Sequence, residues 1–197
     1  MKKNSSELPI LFFIDQQSFE NWLENNYDSS PGIRLQIAKK DSGVVSVSYE
    51  EALESSLCYG WIDSQKEKFD DKTWLQRFTP RGTKSIWSKV NREKAEFLIS
   101  KGRMKPSGFK AIEAAKQSGQ WDKAYESQSS ASLPEDFAIE LERNAKAKAF
   151  YDTLDRQNKY AILFRIHNAK KQETRTKRIE QYIAMLEKGE KIYDKKS

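Results

Sequence analysis

Two arginines, Arg77 and Arg81, bracket a Thr-Pro pair in the segment RFTPRGTKSIWSKVN, residues 77–91. The planar guanidinium group of arginine binds carboxylates and phosphates through paired hydrogen bonds. Aromatic side chains nearby can form the apolar walls that a ligand pocket needs. The segment therefore predicts a small-anion pocket, or an enzyme site in which Asp63 would be the base. The candidate residues are Trp61, Asp63, Arg77, Arg81, Ser85, Trp87 and Asn91.

The same segment also has a structural explanation, as a corner between a strand and a helix. Pro80 fixes its own backbone and favours an extended residue before it, which ends a strand. Asp63 lies on the strand that we predict to pair with this one. It could therefore brace Arg77 or Arg81 through an internal ion pair. The sequence leaves both interpretations open.

A second group of candidate residues lies in a basic stretch. Residues 143–178 contain 11 Lys and Arg but only 3 Asp and Glu, whereas the net charge of the chain is +6. Such a stretch favours a nucleic acid or an acidic protein as partner. The predicted basic face consists of Lys170, Lys171, Thr174, Arg175 and Arg178. The alternative is a solvated or internally paired surface, in which the arginines pair with acids such as Asp152 or Asp155.

Several common chemistries lack the residues that they need. His167 and Cys58 are the only histidine and cysteine of the chain, so a zinc site of the usual type is not expected. Neither a GxxxxGK[ST] phosphate loop nor a GxSxG turn is present. We predict no metal, no cofactor and no assigned catalytic residue. Whether the protein is an enzyme stays open, and a non-enzymatic role is favoured.

The sequence indicates a cytoplasmic protein. One cysteine cannot form an internal disulfide, which suits a reducing compartment. The apolar run at residues 10–14 is shorter than the roughly 7–15 residues of a signal peptide and the about 20 of a membrane span. We therefore predict no membrane span.

Short strand and helix patterns alternate up to residue 80. ILFFI predicts a buried strand, and a helix follows from Asp15. IRLQIAKK and VVSVS alternate apolar and polar residues, which predicts a hairpin. A helix then begins at Ser48 and ends at Gly60. WIDSQKEKF and TWLQRFT predict a second hairpin around the turn DDK.

Helical periodicity dominates the rest of the chain. We predict helices at about 88–101, 106–118, from Pro134, 145–154, 156–168 and 172–188. The fold class is α+β: a small antiparallel sheet with one or two helices in the N-terminal half, and an all-helical C-terminal half. The predicted division is 1–87 and 88–197, although the two regions are also compatible with one compact domain.

Four segments together resemble the bacterial family called bacteriocin-protection, YdeI/OmpD-associated. These segments are ALESSLCYGWIDSQ, QRFTPRGTKSIWSKVN, GRMKPSGFKAIEAAKQSGQWDKAY and AKKQETRTKRI. The resemblance runs from about residue 9 to residue 189. It implies a cytoplasmic bacterial protein with a role in resistance to bacteriocins or antimicrobial peptides and a link to an outer-membrane porin. It supplies no catalytic residues.

Three functions therefore stay open. The resemblance implies non-enzymatic protection against bacteriocins or envelope stress. The basic stretch at 143–178 predicts a nucleic-acid-binding module, whose affinity would fall steeply with salt. The arginines and tryptophans of residues 61–91 predict a small-anion pocket.

Overall fold

The computed structural model describes residues 8–83, 85–122, 124, 132–169 and 171–194. Within these ranges the chain forms four strands and eight helices. In chain order they are β1 (Ile10–Phe12), α1 (Gln16–Asn26), β2 (Ile33–Ala38), α2 (Tyr49–Cys58), β3 (Trp61–Lys68), β4 (Thr73–Pro80), α3 (Lys89–Ser100), α4 (Pro106–Gln117), α5 (Glu135–Arg143), α6 (Ala145–Thr153), α7 (Arg156–His167) and α8 (Gln172–Glu187). The predicted α+β fold class is confirmed, with the sheet in the N-terminal half and helices after it.

The four strands form one sheet in the order β1-β2-β4-β3. The pair β3–β4 is antiparallel, as predicted; β2 also pairs with β4 in antiparallel fashion, which the sequence did not predict, and β1 adds to β2 in parallel. The edge strand β1 has only three residues, and its Ile10 and Phe12 are 38% and 42% exposed, so this strand is not the buried one that its composition predicts. The other edge strand, β3, shifts its register between Asp63 and Lys66.

The predicted hairpin between residues 33–40 and 44–48 is wrong. Residues 44–48 form no strand. Both hydrogen-bonding edges of β2 are occupied, one by β1 and the other by β4. The alternating pattern instead places the fully buried Val47 in the core, and its backbone amide donates to Phe13 O at 3.0 Å.

The second predicted hairpin and the predicted helix starts are confirmed. β3 and β4 pair around residues 69–72. Asp15 and Ser48 each accept a hydrogen bond from the backbone amide three residues on, in a capping box. These local signals are read correctly because the atoms that carry them lie within one turn of the chain.

The chain divides into two compact units. The first consists of Met1–Trp87 with Asn91–Ala124, and the second of Ser88–Val90 with Tyr125–Ser197. The core of the first unit lies between the sheet and helices and includes the fully buried Phe19, Leu35 and Phe78. All five tryptophans of the chain belong to this unit.

The second unit has an apolar core of its own, built from α5 to α8. Phe137, Ile162, Ile166 and Leu186 are fully buried there. The Phe137 ring meets the Tyr151 ring edge to face, with centroids 5.7 Å apart. This core buries the apolar faces of the four helices. The bounds of these helices agree closely with the predicted ones.

Candidate functional site

A cleft of about 300 Å³ opens in the first unit, and we call it the Arg81 cleft. Three segments that are distant in sequence form it. They are residues 59–61 at the start of β3, residues 80–83 with Ser85 and Trp87 at and after the end of β4, and one face of α4 between residues 107 and 115. Tyr27, just after α1, completes the wall.

Gly60 brings two of these segments together. Its φ is +77°, a conformation that favours glycine. Its carbonyl accepts a hydrogen bond from the Arg81 amide at 3.0 Å. A Cβ at this position would lie 2.7 Å from Ser107 O in α4. The strand end and the helix therefore approach each other closely because residue 60 has no side chain.

Gly108 fixes the beginning of α4 against the end of α2. A Cβ there would lie 2.2 Å from the carbonyl oxygen of Cys58 and 2.3 Å from the sulfur of Met104. The Lys105 amide donates to the same Cys58 carbonyl at 3.1 Å. Ser107, Lys110 and the alanines that follow are thereby held along one side of the cleft.

Two tryptophans form its rigid walls. Trp61 is 1% exposed, and its Nε1 donates to Tyr27 O at 3.0 Å. Trp87 is 2% exposed and meets Trp121 edge to face at 4.8 Å. The Arg81 guanidinium lies over the Trp87 ring, 3.7 Å from its centre, and its Nη1 donates to Ile86 O at 3.3 Å. Stacking and hydrogen bonding hold this positive charge in place.

The charge of the cleft is positive. Among the described residues that line it, Arg81 and Lys110 are cationic and none is acidic. Lys110 is exposed, and no described residue pairs with its ammonium group. Positive groups beside low-dielectric walls concentrate their field in a cleft, so this surface attracts anions.

Tyr59 contributes a neutral phenol to the same wall. Burial, and then the hydrogen bond that it donates to Glu24 at 2.5 Å, raise the pKa of Tyr59 well above its ordinary value. The same hydrogen bond, with the nearby Lys105, lowers the pKa of Glu24. At neutral pH the phenol is therefore protonated and adds no negative charge to the cleft.

Ser107 has a buried hydroxyl with no hydrogen-bond partner among the described residues. A buried polar group without a partner destabilises the fold by about 1–3 kcal/mol. Replacing Ser107 by alanine is therefore expected to raise the free energy of unfolding by about 1 kcal/mol. Urea unfolding followed by tryptophan fluorescence measures this, since all five tryptophans lie in the first unit.

The control for that measurement is Ser118→Ala, which removes a hydroxyl that donates to Ala115 O at 3.2 Å. It is expected to leave the free energy of unfolding unchanged or to lower it slightly. A lower stability of Ser107→Ala than of the parent would show that the Ser107 hydroxyl has a partner in the folded protein.

The basic stretch lies in the second unit, and the two arginines of the predicted basic face, Arg175 and Arg178, make hydrogen bonds within that unit. Arg175 makes a bidentate contact with Asp136, at 2.6 and 2.8 Å, and donates to Ile166 O at 3.1 Å. Arg178 donates to the Arg165 carbonyl oxygen. Internal pairing is thus observed for Arg175, but with Asp136 and not with the predicted Asp152 or Asp155.

The other residues of the predicted basic face have different surroundings. Lys171 is exposed at the start of α8 and makes no side-chain cap hydrogen bond, and Thr174 is half-buried. Lys170 lies outside the described residues. A nucleic-acid role of this face stays a prediction.

Comparison with known families gives two matches. Residues 11–111, just over half of the chain, match the family model described as "Domain of unknown function (DUF8412)". The chain belongs to this family. The DUF8412 match spans the sheet and most of the Arg81 cleft.

The second match concerns the helices of the second unit. Residues 130–189 match the family model described as "Bacteriocin-protection, YdeI or OmpD-Associated". The predicted resemblance is confirmed over this part of the chain. No curated protein and no solved structure matches significantly.

Three further features bear on the possible chemistry. Within the described residues, no helix is both long and apolar enough to cross a membrane, and no three His, Cys, Asp or Glu side chains are grouped as metal ligands would be. Burial raises the pKa of the Cys58 thiol to about 11, so this cysteine is a poor nucleophile.

The structure separates the residues that we predicted for the anion pocket. Trp61, Arg81, Ser85 and Trp87 line the Arg81 cleft. Asp63, Arg77 and Asn91 are not among its lining residues.

The position of Asp63 in the sheet explains why it does not brace Arg77. Asp63 lies opposite Phe78 and shares its face of the sheet, whereas Arg77, the preceding residue, faces the other side. Asp63 instead accepts a hydrogen bond from the Tyr49 hydroxyl at 2.9 Å.

Sequence reasoning missed the contribution of α4. Ser107, Lys110 and Ala111 lie on one face of this helix with Ala114 and line the cleft. A signal was present: small residues at 108, 111, 114 and 115 mark a helix face that another segment approaches closely. The segment that approaches this face is the end of α2, 50 residues earlier. The local sequence of neither segment indicates that the two meet.

Proposed function

We propose that the protein binds a small anion in the Arg81 cleft. The observation that carries the proposal is the charge of this cleft: two cationic side chains and no acidic one among its described lining residues, set against tryptophan walls. An apolar concavity with a few converging polar groups is the usual form of a small-molecule site. The buried Ser107 hydroxyl, which has no hydrogen-bond partner in the part of the chain that the structure describes, offers a donor in the same wall.

The state of the two cationic side chains supports the same proposal. Arg81 is fixed by its stack on Trp87, so little side-chain entropy is lost when it meets a ligand. Lys110 is exposed at the cleft and has no described partner. Unlike Lys110, Arg175 in the basic stretch already binds Asp136 through two hydrogen bonds. The Arg81 cleft is thus better suited to an external anion than the predicted basic face.

The test is titration with benzoate and with inorganic phosphate, followed by tryptophan fluorescence, to which Trp61 and Trp87 of the cleft contribute. Replacing Lys110 by glutamine is expected to weaken the binding about tenfold, since a charge-assisted contact is worth about 1.4 kcal/mol or more. The variant should fold normally because Lys110 is exposed.

Lys146→Gln is the matched control, because it removes the same charge from an exposed position of α6. It should bind like the parent protein. Absence of binding of both anions at concentrations up to about 10 mM would contradict the proposal, since weaker affinities are typical of unspecific contacts. If Lys110→Gln and Lys146→Gln weakened anion binding equally, the effect would come from the net charge of the protein and not from the cleft.

A second candidate function is protection against bacteriocins, which the match of residues 130–189 supports. Expression of the chain in a bacteriocin-sensitive bacterial strain is then expected to raise survival. The Lys110→Gln variant tests whether the two functions are connected. If it protects as well as the parent protein, protection does not depend on the Arg81 cleft.

A further inference from the structure

We infer that the anion bound in the Arg81 cleft is organic, with one acidic group on a flat apolar body such as a single aromatic ring. This inference rests on the proposed function and adds the chemical class of the ligand. It follows from the size of the cleft and from the apolar residues along α4.

The volume exceeds what an inorganic anion fills. A water molecule occupies about 30 Å³ in the liquid, so about 300 Å³ corresponds to about ten waters. An ion of four or five atoms would leave most of this space to solvent. The volume is also at the lower end of the range for ligand pockets, about 300–1,000 Å³, which limits the ligand to a small molecule.

The lining along α4 changes from polar to apolar. Ser107 and Lys110 lie at its N-terminal end, and Ala111, Ala114 and Ala115 follow on the same side. With a rise of 1.5 Å per residue, the distance from residue 107 to residue 114 is about 10 Å along the axis. An acidic group near Lys110 would therefore leave the rest of the ligand over the alanines.

Aromatic residues also contribute to the lining of the cleft. Tyr27, Tyr59, Trp61 and Trp87 all contribute to the lining, and the two tryptophans are held rigidly by Tyr27 O and by Trp121. Aromatic rings prefer offset or edge-to-face contacts with other rings. A cleft lined by both small and aromatic residues thus suits a flat apolar group better than a hydrated one.

The experiment compares four probes with the full-length protein by tryptophan fluorescence: benzoate, acetate, inorganic phosphate and benzyl alcohol. Benzoate is expected to bind at least about tenfold more tightly than acetate, which has the same charged group without the ring. Benzyl alcohol, which has the ring without the charge, is expected to bind about tenfold more weakly than benzoate.

A variant that fills the apolar part of the cleft separates the contribution of the ligand's ring from that of its charge. Ala114→Leu adds side-chain volume on the alanine face of α4 and leaves Arg81 and Lys110 unchanged. It is therefore expected to weaken the binding of benzoate at least about fivefold and to change the binding of acetate little. Ala149→Leu, at an exposed position of α6, is the control and should change neither.

Equal affinities for benzoate, acetate and phosphate would overturn the inference, but they would leave the proposed anion site standing. Binding of benzyl alcohol as tight as that of benzoate, or no binding of any anion, would overturn the proposed function itself. Unchanged benzoate affinity in Ala114→Leu would also overturn the inference, because it would place the ring away from α4.

Discussion

Gly108→Ala is expected to lower the free energy of unfolding of the first unit by about 3 kcal/mol, because the added methyl overpacks a tight helix contact. The methyl carbon would lie 2.2 Å from the Cys58 carbonyl oxygen, a backbone atom that cannot move alone. Helix propensity acts in the opposite direction, since alanine favours a helix over glycine by about 1 kcal/mol. We expect the clash to outweigh it and the melting temperature to fall by about 10 °C.

Thermal unfolding followed by tryptophan fluorescence measures this effect in the unit concerned. Gly82→Ala is the matched control, since among the described residues a Cβ at Gly82 would meet only the Ser85 Oγ, at 3.9 Å. This control is expected to melt within a few degrees of the parent protein. A Gly108→Ala variant as stable as the control would mean that α4 can move away from α2 at little cost.

The same substitution also tests how the Arg81 cleft is built. Gly108 lies one residue after Ser107 and two before Lys110, which line the cleft. Displacing the beginning of α4 would widen the distance between these side chains and the Arg81 segment. Folded Gly108→Ala protein is therefore expected to bind benzoate more weakly than the parent, although no cleft side chain has been replaced.

The ion pair between Asp136 and Arg175 is expected to have the second largest effect. Arg175→Ala removes two hydrogen bonds to Asp136 and one to Ile166 O. Breaking a fully buried pair costs about 3–5 kcal/mol, but the Asp136 side chain is 40% exposed, so we expect about 2 kcal/mol. Since the second unit contains no tryptophan, thermal unfolding is followed by far-ultraviolet circular dichroism.

The contribution of this ion pair to stability is expected to depend on pH in a definite direction. The hydrogen bonds from Arg175 hold the pKa of Asp136 below its ordinary value of 3.8. The pair therefore stabilises the fold above that value, and its contribution disappears as the pH falls through the lowered pKa. The stability difference between parent and Arg175→Ala should be constant near neutral pH and shrink below about pH 4.

Lys177→Ala is the control on the same helix, because its partner Glu173 and Lys177 itself are both more than 70% exposed. Such pairs contribute about 0.3–0.5 kcal/mol. A loss in Arg175→Ala no larger than in this control would show that the Asp136 pair is weak.

This pair also affects how the nucleic-acid hypothesis can be tested. Glutamate at positions 175 and 178 would place a negative charge beside Asp136 and remove internal hydrogen bonds. Loss of binding would then reflect damage to the fold. Glutamine at the exposed Lys171 and Lys177 is the informative change, with affinity measured over a salt series.

The sequence predicted those parts of the fold whose signals are local. The cap residues Asp15 and Ser48, and the periodic helices of the second unit, were placed within a residue or two. The predicted hairpin of residues 33–48 failed because alternating apolar and polar residues also occur where no strand forms, as in residues 44–48, and because a strand pattern does not say which neighbour the strand will have. The parallel addition of β1 to β2 is decided by distant packing.

The candidate site was predicted in part for the same reason. Arg77 and Arg81 are the same type of residue, so only their positions relative to β4 distinguish them. Arg81 follows β4 and reaches the cleft, whereas Arg77 lies within β4, opposite Arg34. Lys110 could not be predicted because its place in the cleft depends on a contact between α4 and residues 50 positions earlier.

The two edges of the sheet limit the growth of aggregates by strand addition. An edge strand exposes unpaired backbone groups to which a second chain can add, and short strands, bulges and charged residues oppose this. β1 offers only three residues, and β3 combines its register shift with the exposed Lys66 and Lys68. A neighbouring molecule thus finds no long flat edge, even when the helices around the sheet begin to loosen on heating.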